Sequence, residues 1–286
     1  MRGLIIIITA VLVLFSNVSC ESDFVPESRE SVTVEGWIDA GGFPVVILTR
    51  TVPMVLREDR IGINDLSDYI IKFARVTISD GEDEVVLTGK SDDGFFPPYI
   101  YTTSDIRGVA GKQYRLSVEY KDVRMTAFTS IPETAPEIED VICRPLPNDT
   151  SLNDLVVLLN DDKSERIFYK TFYLSNRYDN HFLSSYLGVA DNNVVQEQFE
   201  IPILRGSTIL DLDGINMHFN TGEDVVIKVA TIDSVSYRFW EGYENIVRLG
   251  KSSFLPTINS APGNIEGGIG SWCGYNSIIR RIKVSQ

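Results

Sequence analysis

Oxygen-rich side chains between residues 211 and 216 are the first candidate for metal chemistry. Asp211, Asp213 and Asn216 surround Gly214 in an Asp-x-Asp-Gly sequence. Calcium prefers several oxygen ligands at about 2.3 to 2.6 Å, and such a turn can bring them together. However, Gly222 stands where a helix-loop-helix calcium site would place its glutamate. A turn between strands is therefore the preferred interpretation, a calcium loop is the alternative, and no cofactor is expected.

The chain has two histidines, His181 and His218, whereas zinc sites usually need three or four His, Cys or acidic ligands. Neither belongs to an HExxH zinc pair, and no Gly-x-Ser-x-Gly nucleophile elbow occurs in the chain. No spacing in the sequence assigns a pair of carboxylates to the two sides of a cleft, as glycosidase chemistry would require. We therefore predict no catalytic residue.

Glycines at positions 267, 268 and 270 could offer backbone amides to an anion. A phosphate loop needs a lysine and a hydroxyl residue after its glycines, and a dinucleotide fingerprint needs a glycine where Cys273 stands. The sequence meets neither condition. A bulged strand or close backbone packing is the favoured interpretation.

Aromatic side chains follow the turn at Asp92-Asp93-Gly94. They are Phe95, Phe96, Tyr99 and Tyr101. Rigid rings in a loop bury a large area at low entropic cost, which suits recognition of a sugar or a protein. The pattern predicts a recognition loop, and core packing at a sheet edge is the alternative.

Short strands must position these residues. Apolar and polar residues alternate with period two from Ser31 onward, and Asp80-Gly81 predicts a tight hairpin. In the first strand, Val32, Val34 and Ile38 point one way and Trp37 points the other. Frequent turns and the lack of a long helix predict a mostly β fold of two β-sandwich, immunoglobulin-like domains.

Four prolines within residues 131–149 predict the boundary between these domains. The N-terminal β-sandwich then covers residues 28–133, and a β-rich domain covers residues 134–286. One helix is expected near 234–249, with Asp233 or Ser234 as its cap.

Composition sets limits on the partners. The chain has 286 residues, 43% of them apolar, which is ordinary for a globular protein. Its net charge of −14 comes from 40 acidic against 26 basic residues, without a Lys/Arg cluster. Such a surface repels phosphate backbones, so nucleic acid is not an expected partner.

The N-terminus predicts export and lipidation. Arg2 precedes an apolar stretch at residues 4–15, which is shorter than the about 20 residues of a membrane-spanning helix. Cys20 directly after a small residue resembles the lipobox of bacterial lipoproteins. We therefore predict a signal peptide at 1–19 and a lipidated tether at 20–27, with Cys20 carrying the lipid.

Acidic residues directly after Cys20 resemble the surface-export signal of Bacteroidetes lipoproteins. They are Glu21 and Asp23. We therefore expect a lipid-anchored protein of the outer membrane that faces the cell exterior. An ordinary secretory signal, with Cys20 as a bystander, is the alternative.

Two cysteines, Cys143 and Cys273, remain once Cys20 is lipidated. In an oxidising envelope they could form a disulfide that stabilises the fold by about 4 to 5 kcal/mol on the chain-entropy model. Two separate buried thiols are the rival interpretation.

The C-terminal segment Asn264-Ile265-Glu266-Gly267-Gly268-Ile269-Gly270, followed by Trp272, resembles the closing signature of domain-of-unknown-function family 4249, a set of Bacteroidetes surface lipoproteins. Val34-Glu35-Gly36-Trp37-Ile38 and Phe128-Thr129-Ser130-Ile131-Pro132 agree with that family as well. The resemblance implies a lipoprotein often encoded near TonB-dependent outer-membrane receptors. It implies no reaction and no catalytic residues.

Together, these features predict a non-enzymatic accessory or binding partner of a TonB-dependent transporter that acts in nutrient capture, with an unknown ligand. A structural or adhesive surface module without a small-molecule ligand is the second hypothesis. Fold class alone does not choose between the two.

Overall fold

The computed structural model describes residues 31–50, 68–160, 165–175, 179–193, 199–206, 217–249 and 263–285. Strands dominate these residues, which confirms the prediction of a mostly β fold. In the first half the strands are β1 (Val32–Asp39), β2 (Val45–Arg50), β3 (Arg75–Ser79), β4 (Glu84–Ser91), β5 (Tyr99–Thr102), β6 (Gln113–Tyr120) and β7 (Val123–Ser130).

The second half adds further strands and one helix within the described ranges. They are β8 (Ile138–Leu146), β9 (Asp149–Leu159), β10 (Phe168–Ser175), β11 (Leu183–Asp191), β12 (Phe199–Ile203), β13 (Phe219–Asn220), β14 (Asp224–Ile232), α1 (Ser234–Leu249) and β15 (Ile269–Lys283). No helix in this part of the chain is long and apolar enough to cross a membrane.

A long sheet joins the two halves of the chain. Its strand order is β11-β10-β14-β15-β1-β2-β5-β4-β3-β6-β7. Strand β15 pairs antiparallel with β14 on one side and parallel with β1 on the other. A smaller four-stranded sheet has β9 between β12 and β13, with β8 also paired to β9. The last strand of the chain therefore belongs to the same sheet as the first.

The first core lies inside the strands of the first half. Alternation places Val32, Val34 and Ile38 of β1 in this core, as the period-two pattern predicts. Trp272 of β15 joins them, fully buried, and its indole nitrogen donates to the carbonyl oxygen of Tyr114 at 3.1 Å. The C-terminal strand thus completes a core built by residues more than a hundred positions away.

The second core lies between the four-stranded sheet and strands β10, β14 and β15. Its members run from Ile138 to Val284 and include Leu155, Tyr173 and Phe219. The buried residues of the first core precede the predicted boundary at residues 133/134, except for Trp272. Those of the second core all follow it. The division into two sandwich domains stays a prediction. It assigns β15 to the second domain, whereas β15 pairs with a strand of each half.

Helix α1 begins where the sequence predicts. The carboxylate of Asp233 accepts a hydrogen bond from the backbone nitrogen of Ser236 at 2.7 Å, which caps the helix. Its other oxygen accepts from the hydroxyl of Thr129 at 3.0 Å and from the backbone nitrogen of Ser130 at 2.8 Å. One aspartate therefore fixes the helix and ties it to the end of β7.

The helix covers a third core on the opposite face of the long sheet. Its buried members are Phe172, Ala230, Ile232, Cys273 and Tyr275. Trp37, Phe182 and Trp240 pack against it while remaining half-buried. This third core is rich in aromatic rings, and the buried charged residues Lys170 and Lys228 lie beside it.

The β3–β4 hairpin turns at Asp80-Gly81, as predicted, with Gly81 at a positive φ of 94°. One oxygen of Asp80 accepts from the backbone nitrogens of Asp83 at 3.0 Å and Glu82 at 3.1 Å. The other accepts from the ammonium of Lys112 at 3.0 Å. The backbone bond from Asp83 and the bond from Lys112 lower the pKa of Asp80 from 3.8 to about 2.

We expect the substitution Asp80→Asn to make this hairpin insensitive to acid. The carboxylate stabilises the fold above pH 3.8, and this contribution is lost as the pH falls through about 2. At pH 6 the wild type should have the higher free energy of unfolding, by about 1 kcal/mol. Urea unfolding at a series of pH values should show the difference shrinking below pH 4. A difference that stays constant down to pH 2 would contradict this assignment.

Candidate functional site

The predicted recognition loop separates into two parts. Tyr101 is only 2% exposed, and its hydroxyl donates to the carbonyl oxygen of Ile71 at 2.9 Å. Tyr99 is half-buried against the first core and donates to the carbonyl oxygen of Lys72. These two tyrosines hold the segment that precedes β3. Their role is therefore the alternative interpretation, core packing at a sheet edge. Phe95 and Phe96 remain candidates for recognition.

Phe95 lies in a row of three rings from distant segments. Its ring centroid is 6.0 Å from that of Trp37 on β1 and 6.3 Å from that of His181, which precedes β11. All three side chains are half-buried, and the neighbouring Phe96 is 44% exposed. We call Trp37, Phe95, Phe96 and His181 the aromatic surface.

The loop that carries Phe95 is held by its own hydrogen bonds. The carboxylate of Asp92 accepts a hydrogen bond from the backbone nitrogen of Gly94 at 3.1 Å. The backbone carbonyl oxygen of Asp92 accepts a hydrogen bond from the backbone nitrogen of Phe95 at 3.2 Å. Lys90 lies 3.3 Å from the carboxylate of Asp92. A fixed loop presents its rings with little loss of entropy on binding.

An ion pair lies beside the third core, which Trp37 borders; the Lys228 side chain is 11% exposed and that of Asp39 is 22% exposed. The ammonium of Lys228 is 2.6 Å from the carboxylate of Asp39. Three rings surround the same ammonium, with centroids 5.1 Å away for Tyr275, 5.3 Å for Phe172 and 5.9 Å for Phe182. The protein thus fills this aromatic cage with its own cation.

A second buried lysine lies under helix α1. The ammonium of Lys170 donates to the carboxylate of Glu244 at 2.9 Å and to the carbonyl oxygen of Ser185 at 3.0 Å. It also lies 4.7 Å from the ring of Trp240. Burial lowers the pKa of Lys170, against the opposing effect of Glu244. This pair fastens the helix to the sheet.

A buried carboxylate organises the end of β10. Glu223 accepts a hydrogen bond from the hydroxyl of Ser175 at 2.5 Å and pairs with Arg205. The backbone nitrogen of Asn220 also donates to it, at 3.0 Å. Burial raises the pKa of Glu223, but these donors outweigh it and lower the pKa overall. Its partners within the fold satisfy this carboxylate, which indicates a structural role.

The two histidines have different surroundings. The Nδ1 atom of His218 lies 2.6 Å from the carboxylate of Asp154, and both side chains are partly exposed. His181 faces the ring of Phe95. The described ranges contain no group of three or more His, Cys, Asp or Glu side chains that could hold a metal ion. The arrangement at His181 suits stacking and hydrogen bonding to a bound molecule.

The two remaining cysteines are free thiols, which is the rival interpretation to a disulfide. Cys143 lies on β8 and packs against the second core, whereas Cys273 lies on β15 in the third core. Burial raises the pKa of Cys273 to about 11. A thiol in this state is unreactive.

The C-terminal glycines serve close backbone packing. A Cβ atom on Gly267 would lie 2.5 Å from the carbonyl oxygen of Arg124, and one on Gly268 would lie 2.6 Å from the sulfur of Met125. A Cβ on Gly270 would overlap the carbonyl oxygen of Val34. The segment passes directly over β7 and onto β1, which only glycines allow.

Asn264 fixes the same crossing. Its amide nitrogen donates to the carbonyl oxygens of Phe128 at 2.8 Å and Trp272 at 2.7 Å, and its oxygen accepts from the backbone nitrogen of Trp272 at 2.8 Å. The side chain therefore takes the place of a strand between β7 and β15. The sequence motif is explained as a structural device.

Other predicted site residues lie outside the described residues. They are Cys20 with the signal peptide and tether at 1–27, and the calcium candidates Asp211, Asp213 and Asn216. Sequence reasoning did not single out Trp37, Lys228 or the position of His181 beside Phe95. The alternation in β1 did place Trp37 on the face opposite the first core. This was the sequence signal that Trp37 could take part in a site on that face.

The comparisons with known proteins agree with the C-terminal motif. No curated protein matches the chain. The family model described as "Domain of unknown function (DUF4249)" matches residues 21–278, which is most of the sequence. The protein therefore belongs to the DUF4249 family.

Proposed function

We propose that this protein is a non-enzymatic binding protein, anchored by a lipid on Cys20 to the outer membrane and exposed on the cell surface. It works beside a TonB-dependent transporter in nutrient capture. The aromatic surface is the observation that carries the binding role. The lipid anchor rests on the position of Cys20 after a short apolar stretch.

Three features of the aromatic surface support contact with another protein. Its rings come from three separate segments and form one row, with spacings of 6.0 and 6.3 Å. The next residue in the chain, Phe96, has a ring that is 44% exposed. Aromatic anchors of this kind dominate the binding energy of protein interfaces. The transporter is the proposed partner at this surface.

We expect the double substitution Phe95→Ser and Phe96→Ser to weaken this partnership. The full-length chain would be purified from membranes through its native anchor, and the transporter would be measured by quantitative mass spectrometry. Removing two aromatic anchors should lower the recovered transporter by about tenfold or more. The fold should persist, because both side chains lie in a loop outside the strands.

Phe128→Ser is the matched control, since Phe128 is also an exposed ring, 49% exposed, but lies on β7. It should leave the recovery unchanged. Cys20→Ala should move the chain from the membrane fraction to the soluble fraction. The proposal fails if the wild type recovers no transporter, or if the double variant recovers as much as the wild type.

A further inference from the structure

A groove crosses the outer face of strands β4, β3, β6 and β7, outside the aromatic surface. Cross-strand register places four side chains in one row along its floor: Val86, Thr77, Ser117 and Thr126. Thr77, Ser117 and Thr126 line a volume of about 270 Å³. Small side chains on the floor leave this space open.

Charged side chains form the two rims, one row to each side of the floor. Arg75, Glu119 and Arg124 share one row by register. Glu84 and Arg115 stand on the other side and are joined by a hydrogen bond of 3.1 Å. Rows two residues apart along a strand are separated by roughly 6.6 Å, so the rims stand about 13 Å apart at the backbone.

The first rim carries an excess of positive charge. Arg124 donates to the carboxylate of Glu119 at 2.5 Å, and the guanidinium of Arg75 lies 3.9 Å from the same carboxylate. Two guanidinium groups thus share one carboxylate. The excess is confined to this row, because the carboxylate of Glu266 lies 3.4 Å from the hydroxyl of Thr126 on the floor. A ligand carboxylate would satisfy Arg75, with planar, charge-assisted hydrogen bonds.

Apolar groups lie at the two ends of the groove. Val86 on β4 is 55% exposed, and Phe128 on β7, opposite Arg115 by register, is 49% exposed. Three strand spacings separate β4 from β7, which is roughly 14 Å. The ring of Phe128 offers a stacking face at one end of this length.

The backbone of the two central strands, β3 and β6, is not available to a ligand. Strand β3 pairs on both sides with β4 and β6, and β6 pairs on both sides with β3 and β7. An extended peptide therefore cannot add its own backbone hydrogen bonds to the middle of this sheet. Recognition depends on hydroxyl, guanidinium and carboxylate side chains, which suits a ligand covered with hydroxyl groups.

We infer that this groove binds a short acidic oligosaccharide, with a ligand carboxylate on Arg75 and Arg124 and a sugar ring near Phe128. Hydroxyls of the sugar meet Ser117 and the paired side chains of the rims. The groove shares no residue with the aromatic surface. Ligand binding by the groove is therefore independent of the partnership with a transporter.

The test is titration calorimetry on the full-length chain in detergent, with trigalacturonate as the acidic probe and maltotriose as the uncharged one. We expect trigalacturonate to bind with a Kd of about 1 mM or tighter and maltotriose to bind at least about tenfold more weakly. Arg75→Gln should weaken trigalacturonate binding by about tenfold or more without changing the melting temperature, because Arg75 is 61% exposed.

Two control variants separate the groove from general electrostatics. Arg144→Gln removes an arginine paired with Glu200 on the four-stranded sheet, and Phe96→Ser alters the aromatic surface. Both should leave trigalacturonate binding unchanged. Absence of binding, equal binding of maltotriose, or an unaffected Arg75→Gln variant would overturn the inference. A triglutamate peptide that binds as tightly as trigalacturonate would overturn the assignment to a sugar.

Discussion

The substitution Gly270→Ala is expected to destabilise the protein by at least about 3 kcal/mol, and to prevent folding if the total stability is small. Gly270 has a φ of 112°, a conformation that L side chains rarely adopt. An added Cβ would also overlap the carbonyl oxygen of Val34, which is backbone and cannot rotate away. Relief requires β15 to separate from β1, and this pairing joins the two halves of the sheet. Chemical unfolding monitored by circular dichroism measures the loss.

Gly222→Ala is the matched control for this prediction. Gly222 also has a positive φ, 85°, but nothing lies within 4 Å of an added Cβ. Its substitution tests backbone strain alone and should cost about 1 kcal/mol. A Gly270→Ala variant no less stable than the Gly222→Ala variant would show that β15 does not pass over β1 as closely as described.

Local features of the fold could be predicted from the sequence. The alternation in β1, the hairpin glycine at position 81 and the cap at Asp233 each depend on neighbouring residues, and each is confirmed. A cap or a turn is encoded within a few positions because its hydrogen bonds join groups that are close in the chain.

Long-range pairing could not be predicted in this way. The parallel pairing of Thr33 with Ile269 joins residues from opposite ends of the chain, and no local pattern specifies its register. The glycines at 267 and 270 were interpreted as close packing, but the groups that they approach, Arg124 and Val34, became evident only from the fold.

The same limit applies to the candidate sites. Trp37, Phe95 and His181 are separated by long stretches of sequence and meet only because the sheet and the loops bring them together. The groove was missed for a related reason. Its charged and hydroxyl side chains alternate with core residues on four strands. Each strand therefore has the sequence pattern of an ordinary half-buried strand, and no single strand indicates a groove.

The substitution Lys170→Met is expected to cost about 3 to 5 kcal/mol, because it removes one partner of a buried ion pair. The side chain of Glu244 is 11% exposed and would remain as a charge without its counterion. The carbonyl oxygen of Ser185 would also lose its closer donor and keep the hydroxyl of Ser184 at 3.4 Å. Urea unfolding of the variant and the wild type at neutral pH measures the difference.

The double variant Lys170→Met with Glu244→Leu separates the cost of an unpaired charge from the value of the pair. Removing both charges should restore most of the lost stability, since apolar replacements of a buried pair are often neutral. Arg144→Met, which breaks the exposed pair with Glu200, should have a much smaller effect because water already screens those charges. If the double variant were no more stable than Lys170→Met, the loss would come from packing against Trp240 rather than from the charge left on Glu244.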